Sequence, residues 1–395
     1  MSQEIKILYR INKNRSQSVS PKTIELASPD VKKSVTYFHR SLPGYHPTPL
    51  AKLTQLAKRL GIDDLWVKNE ASRFDLKAFK VLGASYAIGK LLAKDLRLDV
   101  NKFTFKQIVS QAAKIQNLTF VTATDGNHGR AVAWTANRLG CKAVIYMPKG
   151  SSNVRLEAIQ NLGAKASIIN GNYDDAVRLA AKQSNEKGWI LLQDTSWPGN
   201  EEIPIYIMQG YTTLLTEAFQ QLEEKWPSHI FMQAGVGSLA AALQAFLCNY
   251  RDKPRPIFTV VEPTEAACFY KSMNIADGKP HIVQGDLDTI MAGLACGEPS
   301  EIAWKILKEN ADAFIACSDQ VAIKGMRILG NPLKGDDRVI SGESGAVTTG
   351  LIYELLNNSM FNELTEQLGI GTDSSVLVIS TEGDTDPEYY RKVVW

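Results

Sequence analysis

The sequence predicts an α/β protein: two interleaved domains, each a mostly parallel twisted sheet covered by helices, with a cleft between them. Three observations predict it. Strand-like and helix-like stretches alternate along most of the 395 residues, the pattern of βαβ units. No internal repeat, low-complexity segment or long linker interrupts that alternation. The residues with chemical character fall in loops that leave strands and enter helices, where ligands sit in such sheets.

In chain order, residues 1–40 are polar and weakly periodic and are expected to form an arm with one short helix. Pro47 and Pro49 make a rigid turn of residues 44–50, because each fixes φ and biases its predecessor to extended backbone. Leu53, Leu56, Ala57 and Leu60 recur at helical spacing and stop at Gly61. An extended run at 65–68 leads into the segment 73–86, which opens an apolar helix through Ala87, Ile88, Leu91 and Leu92. Strands are then expected at 118–123, 143–147, 166–169 and 189–192, separated by helices at 129–139, 153–162 and 173–183. Later come strands at 230–233, 257–261 and 376–380 and a helix at 238–250.

The bulk numbers narrow the function. The length suits one large or two moderate domains with ample core, and 44% hydrophobic with 22% charged residues is ordinary globular composition. A formal charge of +2 gives no basis for a nucleic acid or an anionic membrane as partner. Five scattered cysteines without a CxxC argue against structural zinc and a secreted disulfide framework, so no metal is expected. No apolar run reaches membrane-span length, and residues 1–6 lack a signal pattern. A cytoplasmic protein acting on a small molecule is the expectation.

Lys77 and Lys80 stand at i, i+3 in what reads as the first turn of the apolar helix. Cations prefer the other end of a helix dipole. Repulsion between the two, burial beside Phe79 and the dipole would all lower an amine's pKa, which suits an imine-forming nucleophile. A pair of solvated surface lysines is the competing reading.

Five loops carry the remaining chemistry. Gln233-Ala234-Gly235-Val236-Gly237-Ser238-Leu239-Ala240 joins a strand to a helix; its glycines admit an anion to the helix N-terminus. The same loop matches the dinucleotide pattern GxGxxA, with Glu262 placed to meet a ribose, so a nicotinamide oxidoreductase is a real competitor. Residues 122–129 bring Asp125, Asn127 and His128 to a second strand end, where helix capping and packing are the plainer roles. Gln193-Asp194-Thr195-Ser196 supplies another carboxylate, and residues 341–346 and 380–386 complete the set.

The Pro47-Thr48-Pro49-Leu50 turn, Phe79-Lys80-x-x-Gly83, Gly126-Asn127-His128-Gly129 and the glycine loop follow in an order and spacing that resemble fold-type II pyridoxal-phosphate enzymes. That tryptophan synthase β-like family includes serine and threonine dehydratases. The resemblance implies pyridoxal 5′-phosphate as cofactor, with Lys80, three residues before a glycine, as the imine-forming lysine. It implies Phe79 beside the cofactor and Asn127 on its ring oxygen. Gly235, Val236, Gly237, Ser238 and Leu239 would wrap the phosphate, and Thr381 would meet the pyridine nitrogen.

Longer strings at 78–83, 124–130, 144–150, 291–299 and 379–386 are similar to the diaminopropionate-cleaving ammonia-lyases of that family. The likeness runs from about Gly44 to Trp395 and leaves the first forty residues unassigned. Hydroxy-amino-acid dehydratases keep a small residue where this chain has Asp125; a carboxylate there suits a substrate with a second ammonium. The implied reaction is α,β-elimination of D- and L-2,3-diaminopropionate to pyruvate and two ammonia. Lys80, Asp125 and Asp194 would be the catalytic residues, Asp125 serving the D form and Asp194 the L form. A serine/threonine dehydratase or β-replacement enzyme on the same cofactor is the alternative. A homodimer is implied too, and a large cofactor domain (41–84 with 200–395), a small domain (85–199) and an arm (1–40) are expected. A Cys268–Cys296 disulfide is conceivable by resemblance, although cytosolic thiols are normally reduced.

Overall fold

Among the described residues of the computed structural model, 5–395 apart from Gln17, Asp125 and Arg251, eleven strands form two sheets. The strands are β1 (Ile7–Ile11), β2 (Leu50–Lys52), β3 (Asp64–Asn69), β4 (Thr119–Ala123), β5 (Lys142–Met147) and β6 (Lys165–Ile168). The chain continues with β7 (Ile190–Leu191), β8 (His229–Gln233), β9 (Ile257–Pro263), β10 (Ala313–Cys317) and β11 (Ser375–Ser380). The larger sheet runs β1-β10-β9-β8-β11-β3-β2 and the smaller β6-β5-β4-β7. Pairing is parallel throughout, except that β1 and β2 lie antiparallel on the two edges of the larger sheet.

Burial explains why the parallel strands read as continuous apolar runs. Every residue of β8 and β10, and all of β11 but Ser375, is buried, because helices cover both faces. The strand ends set the site. Parallel β4, β7, β8 and β11 all deliver their carboxyl ends, and the loops that follow, to one cleft between the sheets.

The expected alternation holds, with shifts at the boundaries. The helix expected at 238–250 ends at Leu247. The N-terminal arm holds more than one short helix. β1 adds an edge to the larger sheet, and two helices follow, Pro21–Leu26 and Pro29–Arg40. Both start on a Ser-Pro pair: the Ser20 and Ser28 side chains accept from Thr23 N–H and Val31 N–H, and proline fills the first helical position. Between 301 and 357 lie β10 and three helices, Glu301–Asn310, Asp319–Gly330 and Glu343–Asn357, for which no element was expected. Among the described residues no helix is long and apolar enough to cross a membrane.

Candidate active site

Lys80 is the first residue of the helix Lys80–Asp95, but Lys77 does not share its turn. Lys77 sits in the preceding loop with φ of 55°, and its ammonium pairs with Asp384 at 2.8 Å. The expected repulsion between the two lysines is therefore replaced by an ion pair that leads Lys77 elsewhere. The backbone around Lys80 is stitched to the loop after β11. Phe79 N–H donates to Thr381 O (3.1 Å), and Gly383 N–H donates to Lys77 O (2.9 Å).

The glycine three residues after the lysine has a packing cause. A Cβ on Gly83 would fall 2.7 Å from Ile207 Cγ2 and 2.8 Å from Tyr211 Cζ; one on Gly210 would fall 2.8 Å from Gly83 Cα. The helices Lys80–Asp95 and Glu202–Tyr211 thus touch at a glycine pair one turn from Lys80. Tyr211 also packs against Phe79, with ring centroids 4.9 Å apart and the planes inclined at 56°.

The Lys80 ammonium pairs with the buried Asp194 carboxylate. The second oxygen of Asp194 accepts from the Tyr173 hydroxyl at 3.3 Å. Burial alone would raise the Asp194 carboxyl, but the Lys80 ammonium and the bond from Tyr173 hold it below its ordinary value. His128 beside it is buried, and burial lowers its pKa, so the ring is neutral at pH 7. Its Nε2–H donates to Leu192 O (2.7 Å), and the buried Nδ1 has no hydrogen-bond partner.

β8 ends at Gln233, and residues 234–237 turn into the helix Ser238–Leu247. Gly237 has φ of 87°, and a Cβ there would meet the Phe269 ring, so only glycine fits. The first N–H groups of that helix have no partner within it and carry its positive end, which suits a phosphate. The Ser238 hydroxyl is turned to Asp194 O at 2.5 Å, leaving the Ser238 backbone N–H for an anion. Glu262 faces no ligand. Its two oxygens accept from Phe269 N–H (2.8 Å) and Tyr270 N–H (2.7 Å), which removes the ribose acceptor on which the dinucleotide reading depended.

The Asn127 amide donates to Glu382 Oε2 at 2.5 Å, and Glu382 Oε1 accepts from Ser344 N–H at 3.2 Å. Thr381 Oγ1 accepts from Gln233 Nε2 at 3.0 Å. Lys80, Asp194, Asn127, the glycine loop and Thr381 line one cavity, whose atom-free space, mouth to solvent included, is about 690 Å³. Asp125 lies outside the described residues. Cys268 and Cys296 are both buried beside the glycine loop; burial pushes the Cys268 thiol well above its ordinary value, and its S–H faces Gly235 O at 3.9 Å.

The structure therefore brings Phe79, Lys80, Asn127, Asp194, residues 235–239 and Thr381 together around one space. It adds four residues that sequence reasoning did not single out: Tyr173, Tyr211, Gln233 and Glu382. For Glu382 a signal existed, since it sits in the small polar loop directly after β11. For Gln233 too, a polar residue closing an apolar strand at the head of the glycine loop was a signal; the two tyrosines belong to helices, where nothing in the pattern separates them from core.

These residues fit pyridoxal phosphate. The cavity holds one amine next to a carboxylate, an anion cradle at a helix N-terminus, and a hydroxyl on the opposite loop. An amine and a carboxylate sharing one proton can form an imine and pass protons to and from a bound substrate.

The pyridoxal-phosphate dependent enzyme family matches residues 42–380. Diaminopropionate ammonia-lyase of Salmonella typhimurium is 49% identical over 395 residues, covering 98% of each chain. Its counterpart in Escherichia coli (strain K12) is 46% identical over 375 residues, 94% of this chain and 93% of that one. The crystal structure of Escherichia coli diaminopropionate ammonia lyase in complex with D-serine aligns with TM-score 0.92 and 44% identity, covering 99% of this chain and 97% of that chain. Threonine deaminase isoform 2 of Solanum lycopersicum, 20% identical with TM-score 0.71 over 98% and 96% of the chains, shares the fold.

Proposed function

The chain belongs to the family of pyridoxal-phosphate dependent enzymes, and on that premise we propose that it carries out the diaminopropionate ammonia-lyase reaction. One 2,3-diaminopropionate and one water become pyruvate and two ammonia. The observation that carries this reading is the Lys80–Asp194 pair, set in a cavity walled by the glycine loop and by Thr381. Near-complete coverage by ammonia-lyases of 46–49% identity supports the choice of substrate.

Lys80 would hold the cofactor through its amine, the backbone N–H groups at Gly235–Leu239 its phosphate, Asn127 its ring oxygen and Thr381 its ring nitrogen, with Phe79 alongside. When bound, that group supplies an electron sink for the charge left at Cα. Asp194 takes the Cα proton of the L substrate; Asp125 is assigned the D substrate. Lys80 delivers the proton that the departing β-nitrogen needs. A Cα–H and a Cβ–N bond break, an N–H bond forms on the departing nitrogen, Cβ gains a proton to become the methyl group, and water replaces the second nitrogen at Cα.

Residues 41–84 and 200–395 are proposed as the cofactor domain, residues 85–199 as the small domain, and 1–40 as an arm that is part of the former, since β1 is an edge strand of its sheet. A cytoplasmic homodimer is proposed on the resemblance; light scattering on the purified protein tests the dimer.

The reaction is tested by measuring pyruvate from D- and L-2,3-diaminopropionate against D- and L-serine. The diamines should be turned over far faster. Borohydride should bleach the visible absorbance and leave the label on Lys80; a label elsewhere, or none, sinks the cofactor assignment.

A further inference from the structure

Gln233 is the last residue of β8; it is 2% exposed and lines the cavity. Its side-chain nitrogen makes two bonds, one to Ile379 O at 2.9 Å and one to Thr381 Oγ1 at 3.0 Å. The first bond fixes the amide's orientation. A backbone carbonyl only accepts, so the group facing Ile379 O must be the NH₂, and a flipped amide would set two oxygens against each other. The second N–H then necessarily donates to Thr381. Gln233 Oε1 is buried without a hydrogen-bond partner, so the amide is not placed for its own satisfaction.

The consequence falls on Thr381. One lone pair of its hydroxyl is taken by Gln233, and its hydrogen is left to donate. A ring nitrogen that meets this hydroxyl is met as an acceptor, which favours the unprotonated ring.

We propose that Gln233 is a positioning residue that orients the Thr381 hydroxyl as a donor and thereby keeps the cofactor's ring nitrogen unprotonated. This rests on the cofactor reading above. Its benefit is chemical: a neutral ring is a weaker electron sink, so charge at Cα is short-lived and expels the β-nitrogen rather than waiting for reprotonation. Gln233 touches no reacting atom; it acts only through Thr381.

The test loads wild type, Gln233→Glu and Gln233→Met with cofactor labelled with ¹⁵N in the ring and records the nitrogen resonance at pH 7. Wild type should show an unprotonated pyridine. Gln233→Glu, whose carboxylate accepts the Thr381 hydrogen and turns the oxygen to the ring, should show a pyridinium. Gln233→Met should move part of the way and weaken cofactor binding about tenfold, the loss of one hydrogen bond's ordering. If Gln233→Glu fails to fold, as judged by circular dichroism of the apo protein, Gln233→Met decides. Wild-type-like resonance and affinity in Gln233→Met, or an unprotonated ring in a folded Gln233→Glu, overturns the proposal. Failure of wild type to bind cofactor at all would instead refute the cofactor reading.

Discussion

The Asn127 amide donates to the Glu382 carboxylate at 2.5 Å, across the cleft between the two sheets. Asn127 begins the helix that follows β4 of the smaller sheet; Glu382 lies just past β11 of the larger. Glu382 takes one N–H of the amide, which leaves the other for the ring oxygen that Asn127 is proposed to meet. A buried hydrogen bond to a charged group contributes about 1.5–3 kcal/mol. Glu382→Gln should therefore raise the cofactor Kd by roughly tenfold or more, read by fluorescence titration of apo protein. An unchanged Kd would make the bond incidental.

Asp194→Asn removes the carboxylate base that pairs with Lys80. Turnover of L-2,3-diaminopropionate should fall about 10²–10⁴-fold, the usual loss for a positioned acid–base group. Activity on the D form should fall less, because Asp125 is assigned to it. Intact L turnover would mean the faces are wrongly assigned.

Gly83→Ala tests the glycine pair. The new methyl runs into Ile207 and Tyr211, and Tyr211 in turn packs against Phe79 next to Lys80. Overpacking of this kind costs about 1–3 kcal/mol. A lower thermal midpoint should accompany slower incorporation of cofactor, measured by the growth of visible absorbance. Wild-type values for both would show that the helices separate freely.

Glu217 anchors the segment that leads to Lys80. Its carboxylate accepts from Lys68 Nζ and from two Arg73 nitrogens, each at 2.8 Å, and from the Tyr45 hydroxyl at 2.8 Å. Glu70 pairs with Arg73 as well, and all four charged side chains are buried, two of each sign. Glu217→Gln leaves an uncompensated buried cation, which costs about 3–5 kcal/mol. Urea denaturation should show a loss of that order; a loss under about 1 kcal/mol, small against the cost of a buried unpaired charge, would mean water reaches the cluster.

Glu343 should make stability fall with rising pH. Burial first, then the Glu382 charge, against the pull of Arg155, pushes its carboxyl up to about 7. The folded chain therefore holds a proton that the unfolded chain releases near its ordinary value of 4.5. This contribution is complete below that value and is lost as pH climbs through about 7. Thermal midpoints of apo protein between pH 4 and 8 should decline less steeply in Glu343→Gln. An identical slope would remove Glu343 from the account.

What could be read in the chain followed from short-range rules. The alternation of strand-like and helix-like stretches placed β3 to β9 and β11 to within a residue or two, even the exposed edge strand β6, whereas β10, buried and apolar along its length, was missed. The loops after β4, β7, β8 and β11 stood out, since polar and glycine residues directly after such strands have little structural reason to be there. Lys80 was found beside Gly83, and the glycine proved to mark a helix crossing.

The fold alone decided which of those groups act together. Charge and spacing left Lys77 and Lys80 alike, and only the resemblance chose Lys80; in the fold the turn at Lys77 sends one to Asp384 and the helix sends the other to Asp194. Glu262, spaced to meet a ribose, is taken up by two N–H groups of the following helix. Gln233, Tyr173 and Glu382 join the site through contacts made 148, 21 and 255 residues away in the chain. Local pattern records which face of an element is buried. It carries no information about which distant donor meets which acceptor, and at this site that pairing determines where each proton resides.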